Sequence, residues 1–262
     1  MSSTTIPLSP KRQQWFRSGL IALLSVLFFT STAALNLDLA PFLQRGKIAG
    51  RILRKFMILD IAALPEILPQ LGVSLALAVA GLTIGWILSL FLAFLGAANT
   101  APLPLFSGVI KGLVSLVRAV PSLIWILIVV ASLGFGNTAA VIGMIFPTTG
   151  YLTKSFIASI EEQEPAIIET LQAAGASWGQ IVWHGLLPGL KNPFLSWTAI
   201  RLESNIAESI SLGMVGAGGI GALLTKAIGK YDYGRISTII LVIFLTMVTM
   251  ELLVGRLKKS SR

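Results

Sequence analysis

Hydrophobic residues form six long apolar runs, separated by short polar stretches. Each run approaches or exceeds the roughly 20 apolar residues that a membrane-spanning helix needs. The predicted spans are residues 18–37, 70–96, 109–134, 138–160, 193–213 and 236–254. Pro121 and Pro147 lie inside the third and fourth spans, where we expect each to kink or interrupt its helix.

The composition is that of a chain whose surface faces lipid. Of the 262 residues, 55% are hydrophobic and only 12% are charged, whereas a soluble domain has roughly 25% charged residues. The sequence therefore predicts an all-α integral membrane protein with about six transmembrane helices. The net charge is +9, but the basic residues lie mostly between the apolar runs, which indicates topology and lipid headgroup contact rather than nucleic-acid binding.

The N-terminal part has two interpretations. Basic residues precede the first apolar run and small residues, Ser31 and Ala33, follow its core, as in a signal peptide. The run is longer than a usual signal core, which favours a retained helix. We expect a cytoplasmic tail over 1–17, then the first helix with a basic outer loop over 18–69, and the main transmembrane domain over 70–262. Both termini are expected to be cytoplasmic, although the positive-inside bias is weak.

Within the outer loop, the basic stretch 45–55 has helical periodicity. Ile48, Ile52, Leu53 and Phe56 fall on one helical face. Such a segment is expected to lie along the lipid headgroups.

A glycine-rich stretch follows the fifth span. Gly216, Gly218 and Gly221 have the G-x-G-x-x-G spacing of a dinucleotide-binding turn, which requires a preceding strand and an acidic residue about 20 positions further on. No alternating strand and helix pattern is present, and Asp232 comes too early, so the cofactor interpretation is rejected. We predict instead a tight turn in which backbone packs against backbone, formed by Gly213, Gly216, Gly218, Gly219 and Gly221. A P-loop sequence is also absent, so the chain itself is not expected to hydrolyse ATP.

The hydrophilic loop 161–189 joins the fourth and fifth spans. It predicts two short helices, bounded by Pro165 and Gly175 and by Ser177 and Pro188–Gly189. An amphipathic helix pair at the cytoplasmic face is either a connector that rests on lipid or a docking element for a soluble partner. Periodicity alone leaves both interpretations open.

The loop resembles the EAA loop of ABC importer permeases. Glu169, Gly175 and the segment LLP at 186–188 carry the resemblance, with Thr170 and Leu171 in place of two alanines and Gly185 in place of the usual isoleucine. The resemblance covers roughly residue 70 to the C-terminus and implies the type I importer permease fold. It also implies that the loop docks on an ATPase subunit through Glu169, Ala174, Gly175, Ala176, Leu187 and Pro188.

Three further segments are similar to phosphonate-importer permeases: RAVPSLIW at 118–125, RLESNIAESISLGMVGAGGIG at 201–221 and YDYGRISTIILVI at 231–243. VGAGGIG also resembles methionine-importer permeases, whereas the pattern RxESN does not. The resemblance implies a homodimeric permease subunit of a bacterial inner membrane, with an extracytoplasmic solute-binding protein. ATP and magnesium would be bound by a separate ATPase pair, with no cofactor in this chain. Phosphonate permeases carry arginine and serine where this chain has Ala207 and Glu208. This departure makes the site more negative, which counts against a highly charged phosphonate or leaves the positive role to Arg201 or Arg118 alone, whereas phosphite or phosphate remains compatible.

A polar stripe runs along the fifth span. Arg201, Ser204, Asn205 and Glu208 share one helical face, and Glu203 points roughly opposite. Ionised residues in a membrane cost about 2.5–3.5 kcal/mol each on insertion scales, so they usually face the bundle interior or a watery path. The stripe is either a structural Arg201–Glu208 pair or, with Arg118 and Glu203, the lining of a translocation path.

Other functions remain as alternatives. A methionine-type or other small-solute ABC permease would carry the same loop. An ion-coupled secondary transporter would be expected to contain an internal repeat, which is not found. An intramembrane enzyme would need a nucleophile and base at a catalytic spacing, and no such pair is recognised.

Overall fold

The computed structural model describes residues 11–35, 44 and 46–260, and every regular element within them is helical. The main helices are α1 (Lys11–Ala34), α2 (Gly46–Phe56), α3 (Leu64–Gly96), α4 (Pro104–Ala119), α5 (Ser122–Leu133), α6 (Asn137–Glu161), α7 (Pro165–Ala173), α8 (Leu187–Leu212), α9 (Gly219–Gly229) and α10 (Tyr233–Ser260). Most of the predicted N-terminal tail, the last two residues of the first predicted span and Arg45 in the basic loop lie outside the described residues.

The chain divides into two units, Met1–Arg54 and Lys55–Arg262. In the first unit, α1 is a single helix of 24 residues whose described side chains are almost all exposed. The basic stretch is helical, as its periodicity predicts, and forms α2. Leu53, on the apolar face of α2, is 65% exposed.

The number of spans is smaller than the predicted six when each helix is judged by length and composition. Three described helices are long and apolar enough to cross a membrane: 13–34, 61–96 and 233–256. Two pairs of helices, each bent at a short break, raise the number to five if each pair is one span. The fourth predicted span, α6, has 25 residues and so a length of about 37 Å. Its polar residues, which include Thr148, Thr153 and Lys154, lower its hydropathy.

The two prolines inside predicted spans behave differently. At Pro121 the third predicted span breaks into α4 and α5, which meet at an angle of 85°. At Pro147 the helix is not interrupted, because α6 runs through this residue without a break. Neighbouring helices surround α6 and can hold it in place while one backbone hydrogen bond is missing.

The core of the second unit is built around α3 and α6. The two helices approach closely where α3 carries Gly81 and Gly85, since a Cβ atom at these positions would lie 3.0 Å from the Met144 Cβ and 2.6 Å from the Thr148 Cγ2. Small residues at a four-residue spacing allow this kind of close packing between membrane helices. The close approach brings the middle of α6, including Thr148, into the centre of the bundle.

The second helix of the loop 161–189 does not stop at Pro188–Gly189, and this prediction is wrong. A helical turn at Trp178–Gln180 continues through a π-helical segment, Ile181–Leu186, directly into α8. In the π segment the Leu187 amide donates to the Val182 carbonyl, five residues back. Pro188 then lies in the first turn of α8, where a missing amide hydrogen is tolerated.

Candidate translocation site and coupling loop

Arg201 is the centre of a buried polar network between α6 and α8. Arg201 as a whole is only 6% exposed. The Nη2 group donates to Glu208 Oε2 at 2.8 Å, two turns along the same helix. The Nε group donates to Thr148 Oγ1 at 3.3 Å, and the guanidinium lies 5.8 Å from the centre of the Tyr151 ring. The cation therefore has a carboxylate, a hydroxyl and an aromatic face as partners.

Asn205 ties this network to a third helix. Thr148 Oγ1 donates to Asn205 Oδ1 at 3.1 Å, and Asn205 Nδ2 donates to the Ala78 carbonyl of α3 at 3.2 Å. Asn205 is fully buried. Because a buried polar group without a partner is costly, these bonds hold α3, α6 and α8 in one arrangement around Arg201.

The network opens at one end into a cavity between α5 and α8. The cavity has a volume of about 230 Å³ and is lined by Ser122, Leu123, Ile126, Ala207, Glu208 and Ser211. Glu208 therefore contacts both Arg201 and the cavity, and its side chain is 20% exposed whereas that of Arg201 is 7% exposed. A small polar solute in the cavity would meet the carboxylate and two serine hydroxyls before it reached the guanidinium.

The other predicted path residues are not joined to this network. Ser204 donates to the Ile200 carbonyl of its own helix at 3.2 Å. Glu203 lines a different cavity of about 640 Å³, together with Glu251 and other residues of α10, which agrees with the opposite orientation expected of it. Arg118 lies at the end of α4, exposed, and its Cγ is close to Gly150 of α6.

The glycine-rich stretch is a tight turn with backbone-to-backbone packing, as predicted. A Cβ atom added at Gly213 would lie 2.9 Å from the Gly221 Cα, and one added at Gly221 would overlap the Ile210 carbonyl oxygen. Gly216 has a φ of +108°, which favours glycine. The Ile220 amide donates to Ser74 Oγ at 3.1 Å, so the turn is also attached to α3. At this turn the chain bends by 57° between the preceding helix and α9.

The loop 161–189 begins as its local sequence predicts. Pro165 opens α7, and Gly175 follows its end with a φ of +77°. The Gly175 amide donates to the Gln172 carbonyl at 2.9 Å. The Ser177 amide donates to Gln180 Oε1 at 2.7 Å, which is one half of the predicted capping box. The Trp178 indole then donates to the Thr100 carbonyl at 2.7 Å and attaches the loop to the α3–α4 connection.

Exposure divides the predicted coupling residues into two groups. The exposed members are Glu169, Ala174, Gly175 and Pro188, and the half-buried members are Ala176 and Leu187. The half-buried pair packs against the main apolar core of the bundle. The exposed group presents a carboxylate and a turn to a partner, while the other two residues connect that turn to the helices.

Two departures from the EAA pattern compensate each other. A Cβ atom at Gly185 would lie 2.5 Å from Leu171 Cδ1 and 3.5 Å from Ile167 Cγ2. Leu171 is larger than the alanine it replaces, and Gly185 is smaller than the isoleucine it replaces. The leucine side chain therefore fills the space that the missing side chain at Gly185 leaves, and the contact between α7 and the π-helical segment is retained.

Sequence reasoning missed Thr148, Tyr151 and Ala78 as parts of the site. Thr148 and Tyr151 are three residues apart and so share one face of α6. The polar segment PTTGY inside an apolar span was the signal, together with the glycines of α3 that admit it. The Ala78 carbonyl has no signal in the sequence, because its role depends on where α8 packs.

Comparison with known proteins identifies the family. Residues 87–260 match the family described as the binding-protein-dependent transport system inner membrane component. The chain is 37% identical over 186 residues to the phosphite transport system permease protein PtxC of Stutzerimonas stutzeri, which covers 71% of this chain and 68% of that protein. It is 32% identical over 180 residues to the phosphate-import permease protein PhnE of Mycolicibacterium smegmatis, which covers 69% of this chain but 34% of that protein.

A solved structure shows the same fold. A chain of the methionine ABC transporter MetNI, in an inward-facing conformation, superposes with a TM-score of 0.68 at 18% identity, and covers 78% of this chain and 100% of that chain. This degree of identity establishes the fold rather than the substrate. The chain is an integral membrane protein of type I ABC importer permease fold, and it belongs to the family of binding-protein-dependent transport system inner membrane components.

Proposed function

We propose that this chain is the permease subunit of an ATP-driven importer for phosphite or a related phosphorus oxyanion, phosphonate or phosphate. The observation that carries the proposal is the buried Arg201 network beside a cavity that Glu208 and two serines help to line. A guanidinium can donate several hydrogen bonds to a tetrahedral oxyanion in fixed geometry. The similarity to a phosphite and a phosphate permease supports the same class of substrate.

Arg201 and Glu208 act in this proposal as an exchangeable pair. While the path is empty, Glu208 satisfies the guanidinium, and an incoming oxyanion replaces the carboxylate as its partner. The neutral pair costs less in a membrane than an isolated arginine would. Thr148 and Asn205 hold Arg201 in place during the exchange, and the glycine turn from Gly213 to Gly221 ends the helix that carries it.

Membership of the family supports a proposal for the partners. Two copies of the chain would form the path, an extracytoplasmic solute-binding protein would deliver the anion, and both termini would be cytoplasmic. A separate ATPase pair would bind ATP and magnesium and contact the loop 161–189. The exposed Glu169, Ala174, Gly175 and Pro188 would make that contact, with Ala176 and Leu187 passing its movement to the bundle.

Uptake measurements test this function. A strain that lacks the chain is complemented with it or with an empty vector, and is then offered radiolabelled phosphite, phosphate, methylphosphonate and methionine, with and without ATP depletion. We expect complementation-dependent and ATP-dependent uptake of at least one phosphorus oxyanion. Uptake of methionine alone, or uptake that ignores ATP, would refute the proposal.

A further inference from the structure

A groove between α4 and α6 lies apart from the Arg201 network. Its volume is about 360 Å³, and it is lined by Lys111, Val114, Ser115, Lys154, Ile157, Ala158 and Glu161. Val114 and Ile157 are buried and form the floor, whereas the lysines, Ser115 and Glu161 are at the margins. The groove is large enough for a small tetrahedral oxyanion with part of its hydration shell.

The charges in the groove are unequal. Lys111 Nζ lies 2.7 Å from Glu161 Oε1, and the same oxygen accepts the Ala98 amide at 2.7 Å. Lys154 is exposed and makes no ion pair within the described part of the chain. Two ammonium groups and one carboxylate leave a net charge of +1, so the groove attracts anions.

The groove is connected to the loop 161–189, and a further cation lies along the same helix face. Lys111, Ser115 and Arg118 are four and three residues apart and therefore share one face of α4. Arg118 lies against Gly150, the neighbour of Tyr151, whose ring faces Arg201. At the other end of the groove, Glu161 accepts the Ala98 amide of the α3–α4 connection. The Thr100 carbonyl of the same connection accepts the Trp178 indole of the loop. Arg118 therefore adds a third cation to the face of α4 that carries Lys111.

We propose that this groove is an inner binding site for the transported phosphorus oxyanion, held by Lys111 and Lys154 after it leaves Arg201. The inference rests on the proposed function and adds a second site to it. Lysine binds phosphate oxygens as a point charge, without the fixed geometry of arginine. Glu161 competes with the anion for Lys111 and so weakens anion binding. Weak binding suits a site from which the substrate must be released.

The test uses the whole transporter, with its ATPase and binding protein, in proteoliposomes that take up radiolabelled phosphite. The variants are Lys154→Gln, the double change Lys111→Gln with Lys154→Gln, and Lys154→Arg, which keeps the charge. Lys230→Gln is the matched control, since it removes an exposed lysine beyond the end of α9. ATP hydrolysis is measured in every sample to show that each complex is assembled.

We expect the double variant to reduce the maximal uptake rate by on the order of tenfold, because an electrostatically focused cleft changes local anion concentration by at least that factor. ATP hydrolysis and the phosphite concentration for half-maximal uptake should not change, while Lys154→Arg and Lys230→Gln should transport at the wild-type rate. Phosphate on the ATPase side should inhibit wild-type uptake more strongly than uptake by the double variant.

Three results separate the possible failures. If the wild type transports no phosphorus oxyanion, the proposed function itself is refuted. If the wild type transports phosphite and the double variant matches it, the inner site is refuted while the function stands. If the loss appears only in vesicles containing phosphatidylglycerol and not in pure phosphatidylcholine, the groove binds a lipid headgroup and the inner site is again refuted.

Discussion

Replacement of Arg201 by methionine separates a structural role of the Arg201–Glu208 pair from a role in transport. Methionine keeps much of the length of the side chain but removes its charge. The pair is joined at 2.8 Å, and its side chains are 7% and 20% exposed. Removal of one partner from a buried pair costs about 3–5 kcal/mol, because the other charge is left without compensation. Since Glu208 reaches the adjoining cavity, we expect the lower end, about 3 kcal/mol.

The loss is measurable as a shift in thermal unfolding. For a chain of this size, 1 kcal/mol corresponds to roughly 2–4 °C in Tm. Arg201→Met should therefore lower the Tm of the purified permease by roughly 6–12 °C. The double variant with Glu208→Gln should recover most of that loss, because no uncompensated charge remains. Lys226→Met, at an exposed position on α9, is the control and should leave the Tm unchanged.

Uptake by the double variant then decides between the two roles. A pair that serves only to stabilise the bundle predicts that the stable double variant transports phosphite normally. A guanidinium that binds the substrate predicts that uptake stays lost although stability returns. Normal uptake in the double variant would refute the role of Arg201 in the path, and an unchanged Tm in Arg201→Met would refute the burial of the pair in the assembled transporter.

Three further predictions concern the loop and the turn. Gly175→Pro removes an amide that donates to the Gln172 carbonyl, and proline demands a negative φ at a position where φ is +77°. Membrane insertion of this variant should persist while ATP-coupled uptake is abolished. Normal uptake would rule out the docking role. Leu171→Ala and Gly185→Ile should each lower the Tm of the complex, and the double variant should have a higher Tm than Gly185→Ile alone. If the Tm losses of the two single variants simply add in the double variant, the two residues do not compensate each other. Gly221→Ala should lower the Tm by more than an alanine at Gly229, where no atom lies near the new methyl group; equal effects would contradict the backbone packing of the turn.

Much of the loop and turn could be predicted from the sequence because their signals are local. Pro165, Gly175 and the Ser177–Gln180 spacing act on the backbone within one or two turns, and the structure has the expected helix start, left-handed residue and cap hydrogen bond. The same reasoning fails at Pro188. Proline disfavours a continuing helix locally, but a π-helical segment ahead of it places the proline in the first turn of α8.

The sequence by itself also determined that the chain lies in a membrane and that Arg201, Asn205 and Glu208 share one helical face, since composition and the helical period suffice for both. Only the tertiary structure decided what that face meets. Thr148 and Tyr151 reach Arg201 because Gly85 lets α3 approach α6. The groove that Lys111 and Lys154 line exists because α4 packs beside α6. Contacts between helices far apart in the chain depend on packing, which no local period encodes.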